Sequence, residues 1–160
     1  MPVQADSSRA AAEPAEYDPG EKMRVDGSCH CGQVTFEAEV DPDKVLVCHC
    51  TDCQTLSGSA FRVVVYAEPG TFKLLTGQPK TYVKIAESGN KRVQGFCGNC
   101  GSSLYAHALA GEPHIRPPIV GLRIGALHQR AELAPKVQHW TRSRLPWVPH
   151  MDGVTEIEMD

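Results

Sequence analysis

The sequence predicts an all-β fold of mostly antiparallel strands, with few or no helices. Three observations lead there. Val34, Phe36, Ala38 and Val40 alternate with Gln33, Thr35, Glu37 and Glu39, the period of two that a strand with one buried face requires. Further short runs of β-like composition follow, separated by turn residues. No stretch keeps an apolar spacing of three to four residues long enough for a substantial helix.

Taken in order, residues 1–22 are rich in Ala, Glu, Pro and Ser, with Tyr17 their one aromatic residue. Such a stretch buries too little apolar surface to offset the entropy of ordering it, so it reads as a disordered extension. Its acids Asp6, Glu13, Glu16 and Asp18 argue against a transit peptide. Residues 23–160 read as a single domain, of which the alternating run near Val34 is the clearest strand. Additional strands are expected at Lys44–Cys48, Ala60–Ala67, Thr71–Leu75, Thr81–Ala86, Arg92–Phe96 and Ser103–His107. The turn signals between them are Asp41-Pro42, Pro69-Gly70, Gly77-Gln78-Pro79 and Ser88-Gly89-Asn90. Pro113, Pro117 and Pro118 make 112–119 a loop or an edge. The one helix candidate, Gly125 to Leu133, is brief and is closed by Pro135. The segment from Pro135 to Pro149, with Trp140 and Trp147, is expected to pack back onto the sheet.

Composition excludes several function classes. A net charge of −3 offers no broad attraction to phosphate backbones, which removes nucleic acid as an expected partner. No run approaches the roughly 18 apolar residues of a membrane span, and the N-terminus lacks the pattern of a secretory signal. The expectation is a soluble, cytoplasmic chain with no membrane partner. In a reducing compartment its seven cysteines are thiols, and clustered thiols point to metal binding or catalysis.

All seven cysteines fall in three groups: Cys29-His30-Cys31, Cys48-His49-Cys50-Thr51-Asp52-Cys53, and Cys97-Gly98-Asn99-Cys100. Cysteines two apart in an extended segment project to one side, so each C-x-C pair can offer two thiolates to one ion. The C-x-x-C pair needs a tight knuckle, for which Gly98 and Gly101 supply permissive backbone. Two closed tetrahedral thiolate sites need more sulfurs than the seven present, so one site falls short by one ligand. One C-x-C joined to the C-x-x-C gives a closed four-thiolate site. The other would then belong to a three-sulfur site with an open position. Counting leaves the choice of C-x-C open. The compactness of Cys48, Cys50 and Cys53 favours assigning Cys29 and Cys31 to Cys97 and Cys100. Parity poses a difficulty, since Cys29 and Cys31 share odd numbering with polar Gln33 and Thr35, and a bulge at Gly32 would resolve it.

His30 and His49 lie between cysteines, where extended geometry turns their rings away from the ion. A fourth protein ligand at the open site would come from Asp52, His107, His114 or His139. Candidate general bases are His49, Asp52 and a metal-bound hydroxide. The stretch from Ser57 to Phe61 reads equally as an anion-binding turn and as the turn that starts a strand.

With these groups in place, the chain resembles the glutathione-dependent formaldehyde-activating enzyme family, which shares its domain with centromere protein V. The likeness spans about residues 25–150. It rests on Gly27-Ser28-Cys29-His30-Cys31-Gly32, on Cys48-His49-Cys50-Thr51-Asp52-Cys53-Gln54 followed by Ser57-Gly58, and on Phe96-Cys97-Gly98-Asn99-Cys100-Gly101-Ser102. The closing Gly125-Ala126-Leu127, Pro135, His139-Trp140 and Pro146-Trp147 are consistent with it.

The resemblance implies stacked antiparallel sheets of the zinc-binding β-tent type and two Zn²⁺ per chain. A structural zinc would sit on Cys29, Cys31, Cys97 and Cys100, and a catalytic zinc on Cys48, Cys50 and Cys53. The implied activity is a carbon–sulfur lyase or synthase acting on a thiol–aldehyde adduct, forming or breaking S-(hydroxymethyl)glutathione. Its partners would be glutathione, or a similar small thiol, and an aldehyde; homo-oligomerisation is left open. Gln54 stands where many family members carry a basic residue, so a related lyase or hydrolase on another thiol conjugate is one alternative. A non-catalytic zinc-binding protein-interaction module is the other.

Overall fold

The structure is a computed structural model that describes residues 20–110 and 119–159. The expected disordered extension lies outside these residues up to position 19, as do most of the Pro-rich loop and His114. The chain forms β1 (Met23–Ser28), β2 (Thr35–Cys48), α1 (Thr51–Ser57), β3 (Arg62–Ala67), β4 (Lys73–Thr76), β5 (Lys80–Ile85), β6 (Lys91–Phe96), β7 (Ser103–Ala108), β8 (Gly121–Arg123), β9 (Val137–His139) and β10 (Thr155–Glu156). The all-β expectation holds, with α1 the one α-helix among the described residues. None of these helices is long and apolar enough to cross a membrane.

The long strand β2 organises the rest. Asp41-Pro42 was expected to end it, yet the strand runs on to Cys48 with a shift of register between Val40 and Val45. Proline cannot donate to a ladder, and the shift absorbs that missing bond. Asp41 is buried there, accepts a hydrogen bond from the Asp43 backbone at 3.0 Å, and pairs with Lys22 and Lys44. The first half of β2 lies between β1 and β4, and its second half between β3 and β9. One strand therefore serves a short arm, β1-β2-β4, and a long one, β10-β9-β2-β3-β8-β7-β6-β5. Most pairings are antiparallel as expected, but β9 joins β2 in parallel and β10 joins β9 in parallel. Of the segment expected to pack back, β9 joins the sheet, while Trp147 stays exposed.

The two arms share one core. Val25, Phe36 and Ala38 from the short arm meet Val65, Leu104 and Leu122 from the long one in a single buried cluster. Phe72 bridges them, its ring 5.8 Å from Phe36 and 5.0 Å from Tyr105. Burying each of the valine, leucine and phenylalanine side chains contributes about 1.5–3 kcal/mol. Alternation on β3 sends Val65 and Ala67 into this core and Arg62, Val64 and Tyr66 to the opposite face of the long arm. That second face carries the candidate site.

The helix expected over Gly125 to Leu133 is instead two single-turn 3-10 helices, Ile124–Ala126 and Arg130–Glu132, with Leu127 buried between them.

Candidate metal centres

The first centre is built from two turns. The sulfurs of Cys29, Cys31, Cys97 and Cys100 all lie within 4.8 Å of one another. Cys29 and Cys31 are not on an extended strand as expected. They occupy the hairpin turn between β1 and β2, closed by Cys29 N–H to Val34 C=O and by Gly32 N–H to Cys29 C=O, both 3.0 Å. Gly32 has φ +79°, a left-handed turn residue rather than a bulge. The parity difficulty disappears with it, because a turn has no alternating faces. In the second turn Gly101 takes φ +76° and donates to Cys97 C=O at 2.9 Å. Gly98 does not adopt such a φ; the stem of Lys80 lies across it. The His30 backbone donates to the Ser102 hydroxyl at 3.0 Å, tying one turn to the other.

The geometry fits a tetrahedral ion. Four sulfurs about 2.3 Å from zinc lie about 3.8 Å apart. Here Cys29 and Cys31 are separated by 3.5 Å, and Cys31 and Cys97 by 3.7 Å. All seven cysteines are free thiols. At Cys100 the surroundings favour the thiolate: the Ser102 hydroxyl, 3.2 Å from its sulfur, leads the contacts that bring Cys100 down to about 5. The Val34 N–H donates to the Cys29 sulfur at 3.2 Å.

The second centre is local. Cys48 ends β2, Cys50 caps α1 and Cys53 lies in its first turn, and their sulfurs again lie within 4.8 Å of one another. The Cys53 backbone donates to the Cys50 sulfur at 3.4 Å. Hydrogen bonds from the Cys48 and Cys53 thiols pull Cys50 down to about 2, while the bond to Cys50, with burial, holds Cys48 far above the ordinary thiol range. One sulfur readily carries charge and another resists it. A divalent cation relieves that conflict by displacing the remaining protons. Among the described residues no fourth His, Cys, Asp or Glu joins the trio.

Among the described residues, the histidines and acids weighed from sequence fall outside it. His49 is fully buried, with Nε2 2.9 Å from Gln138 Oε1 and its ring edge-on to Phe61 at 5.6 Å. Because Oε1 only accepts, Nε2 carries the proton. Buried and engaged, His49 is walled off from any substrate. Asp52 is held by Lys84 at 2.7 Å. His107 Nδ1 lies 2.7 Å from Ala108 C=O. In the stretch after Ser57, Gly58 N–H bonds to Thr55 C=O and Ser59 N–H to Gln54 C=O, so these two donors close the end of α1 instead of facing an anion. Gln54 does not line the hollows beside the trio. Its amide donates to His49 C=O at 2.8 Å and to Ser143 C=O at 3.0 Å, clasping the motif to the C-terminal segment.

Two hollows flank the trio. One, of about 170 Å³, touches Cys48 and Cys53; the other, of about 370 Å³, touches Cys50 and Asp52. Lys84 and Trp140 border both. Trp140 is the one described non-glycine residue with positive φ, at 57°, and Arg142 stacks on its ring at 4.8 Å. Such strain concentrates at functional sites. Sequence reading missed Arg62, Gln94 and Arg123, which line the smaller hollow. Arg62 pairs in register with Cys48 across the β2 and β3 ladder. Burial, then the nearby Arg62, pushes Arg123 down to about 9.

The sequence model of the family described as glutathione-dependent formaldehyde-activating enzyme matches residues 24–143, three quarters of the chain. No curated protein matches it. The matched span holds all seven cysteines and both centres. The chain belongs to the glutathione-dependent formaldehyde-activating enzyme family.

Proposed function

We propose that this protein is a zinc-dependent carbon–sulfur lyase or synthase that makes or breaks a thiol–aldehyde adduct, with S-(hydroxymethyl)glutathione as the substrate its family suggests. The observation that carries the reading is the contrast between its two centres. Four sulfurs close one, while three sulfurs beside open hollows make the other, with no further ligand among the described residues. A closed thiolate site is structural, and one lacking a ligand can take a substrate group.

On this reading Cys29, Cys31, Cys97 and Cys100 hold a structural zinc, and Cys48, Cys50 and Cys53 hold a catalytic one. Zinc bound by the trio supplies a soft Lewis acid that favours a substrate thiolate over its thiol. Cys48 and Cys53 present that position to the smaller hollow. Lys84, held by Asp52, borders the reacting volume with a fixed positive charge. Trp140 also borders it. In the breakdown direction the carbon–sulfur bond breaks and its electron pair stays on sulfur. The hydroxyl proton passes to solvent, and the carbonyl of the aldehyde forms. In the synthetic direction, holding thiolate and aldehyde side by side supplies much of the acceleration.

Metal analysis of the purified chain is expected to give two zinc ions. Glutathione and formaldehyde should then exchange with their adduct faster than in buffer, as followed by NMR. Cys53→Ser should lose one zinc and the activity. A cobalt-substituted protein whose spectrum ignores excess thiol would refute the open centre and favour a non-catalytic zinc module.

A further inference from the structure

The face of the long arm opposite the core carries an unusual concentration of charge. The wall of the hollow beside Cys48 and Cys53 includes Arg62, Lys84, Arg92 and Arg123, and no Asp or Glu among the described residues. Lys84 is answered by Asp52, and Arg92 is exposed. Arg62 and Arg123 are neither. They are 6% and 9% exposed, and among the described residues neither has a carboxylate partner.

Both guanidiniums lean on one neutral acceptor. Arg62 Nη1 donates to Gln94 Oε1 at 3.2 Å, and Arg123 Nη2 donates to the same oxygen at 2.8 Å. Nε and Nη2 of Arg62 and Nε of Arg123 have no partner among the described residues. Two buried like charges on a single amide oxygen are costly unless an anion joins them. The cysteine trio supplies part of that anion. Three thiolates around a divalent cation carry one net negative charge, which answers one guanidinium and leaves the other. The same two arginines also line a second, larger hollow of about 640 Å³.

We propose that Arg62 and Arg123, aligned by Gln94, form a carboxylate-binding subsite that selects and orients a thiol carrying its own carboxylate at the Cys48, Cys50 and Cys53 centre. This rests on the reading of that centre as a thiol site. Planar guanidiniums suit it because they meet a carboxylate in bidentate fashion. Cys48 and Arg62 are direct cross-strand partners, so one small molecule can reach the trio with its sulfur and the arginines with its carboxylate. The subsite is a specificity determinant; the reaction itself stays at the sulfurs.

The test uses the cobalt-loaded full chain and three probes: mercaptopropionate, with thiol and carboxylate; mercaptoethanol, with thiol alone; and S-methylglutathione, with carboxylates and no free thiol. Binding is read from the cobalt–thiolate absorption and from calorimetry. Mercaptopropionate is expected to bind at least about tenfold more tightly than mercaptoethanol, the effect of one charge-assisted contact. Arg123→Gln should abolish that preference while leaving mercaptoethanol within about twofold of wild type. Arg123→Lys, which keeps the charge and loses the fork, should retain only part of the preference. Should Arg123→Gln fail to fold, acetate at constant ionic strength decides the matter in the wild type: it should compete with mercaptopropionate and not with mercaptoethanol. Equal affinity for the two thiols, or an Arg123→Gln loss shared equally by both, would overturn the subsite and leave the arginines as counter-ions to the thiolates. If no thiol alters the cobalt spectrum, the thiol-site reading falls, and S-methylglutathione then judges the subsite alone. Binding that depends on Arg123 would support it, and none would overturn it.

Discussion

Cutting the two metal centres one at a time should have unequal consequences for stability, because the centres close very different lengths of chain. Cys31 and Cys97 are 66 positions apart, whereas Cys48 and Cys53 lie five apart. A cross-link stabilises largely by removing conformations from the unfolded chain, and the effect grows with the logarithm of the loop it closes. Applied to these spans, the loop relation gives about 4 kcal/mol for the long clip and about 2 kcal/mol for the short one at 25 °C. A single substitution in the four-sulfur centre would leave three sulfurs able to hold an ion, so for a like comparison the variants remove two cysteines from each centre. Cys97→Ser with Cys100→Ser frees the long clip; Cys50→Ser with Cys53→Ser frees the short one. Burial adds to the contrast, since Cys97 is buried and the trio is only half-buried.

With the metal–sulfur bonds taken as alike in the two centres, the first variant should be the less stable by about 2 kcal/mol. That is a large part of the 5–15 kcal/mol typical of a domain, and it is measurable by urea unfolding followed by circular dichroism in zinc-containing buffer. A chelator should erase most of the difference, because it cuts both clips in every variant. Equal losses in the two variants, or a larger loss from the trio, would refute the assignment of the structural role to the four-sulfur centre.

Three further outcomes follow from local geometry. A Cβ at Gly95 would overlap the ring of Tyr105, whereas one at Gly98 meets only the flexible stem of Lys80. Gly95→Ala should therefore lose about 1–3 kcal/mol and Gly98→Ala less than about 0.5 kcal/mol, as read by thermal unfolding. Gln54→Leu leaves two backbone carbonyls without the amide that clasps them and should destabilise by about 1–3 kcal/mol, while Gln54→Lys, which keeps a donor, should lose less. Hydrogen bonds from Gln129 and then His128 hold Asp26 below the usual carboxylate range. A depressed carboxylate contributes stability above its unfolded pKa of 3.8, and that contribution is lost as pH falls below it. Asp26→Asn should flatten the acid limb of the stability profile in that window, and an unchanged limb would show that the exposed pair contributes nothing.

What was legible in the sequence follows from what leaves a periodic or numerical trace. The alternation over Val34 to Val40 marks a half-buried strand, and it is one. The count of seven sulfurs and the compactness of Cys48, Cys50 and Cys53 anticipate the grouping into four and three that the fold assembles. The misses have physical causes. Helix α1 has seven residues and no buried side chain, so it has no apolar period; its signals are a cysteine cap and Gly58 at φ +63°. Strands β8, β9 and β10 have three, three and two residues, too short for any alternation to register, and they are held by long-range pairing. Asp41-Pro42 has turn chemistry, but buried Asp41 finds its partners within a bulged strand.

The charge of the site illustrates the same limit more sharply. A net charge of −3 correctly describes how the whole chain would meet a polyanion at a distance, since exposed charges are screened beyond about 8 Å. It says nothing about a cleft. Arg62, Arg92, Gln94 and Arg123 lie on three different strands. Only the order β3-β8-β7-β6 brings them to one face. In the run Arg62-Val63-Val64-Val65, valines on both faces hide the alternation that would have shown which way the arginine points. A cation concentrated in a poorly solvated hollow attracts an anion far more strongly than the same cation on the surface. The overall acidity and the basic cleft are therefore compatible. The first bears on how large partners approach, and the second, on the proposed reading of the centre at Cys48, Cys50 and Cys53, on which small anionic thiols it retains.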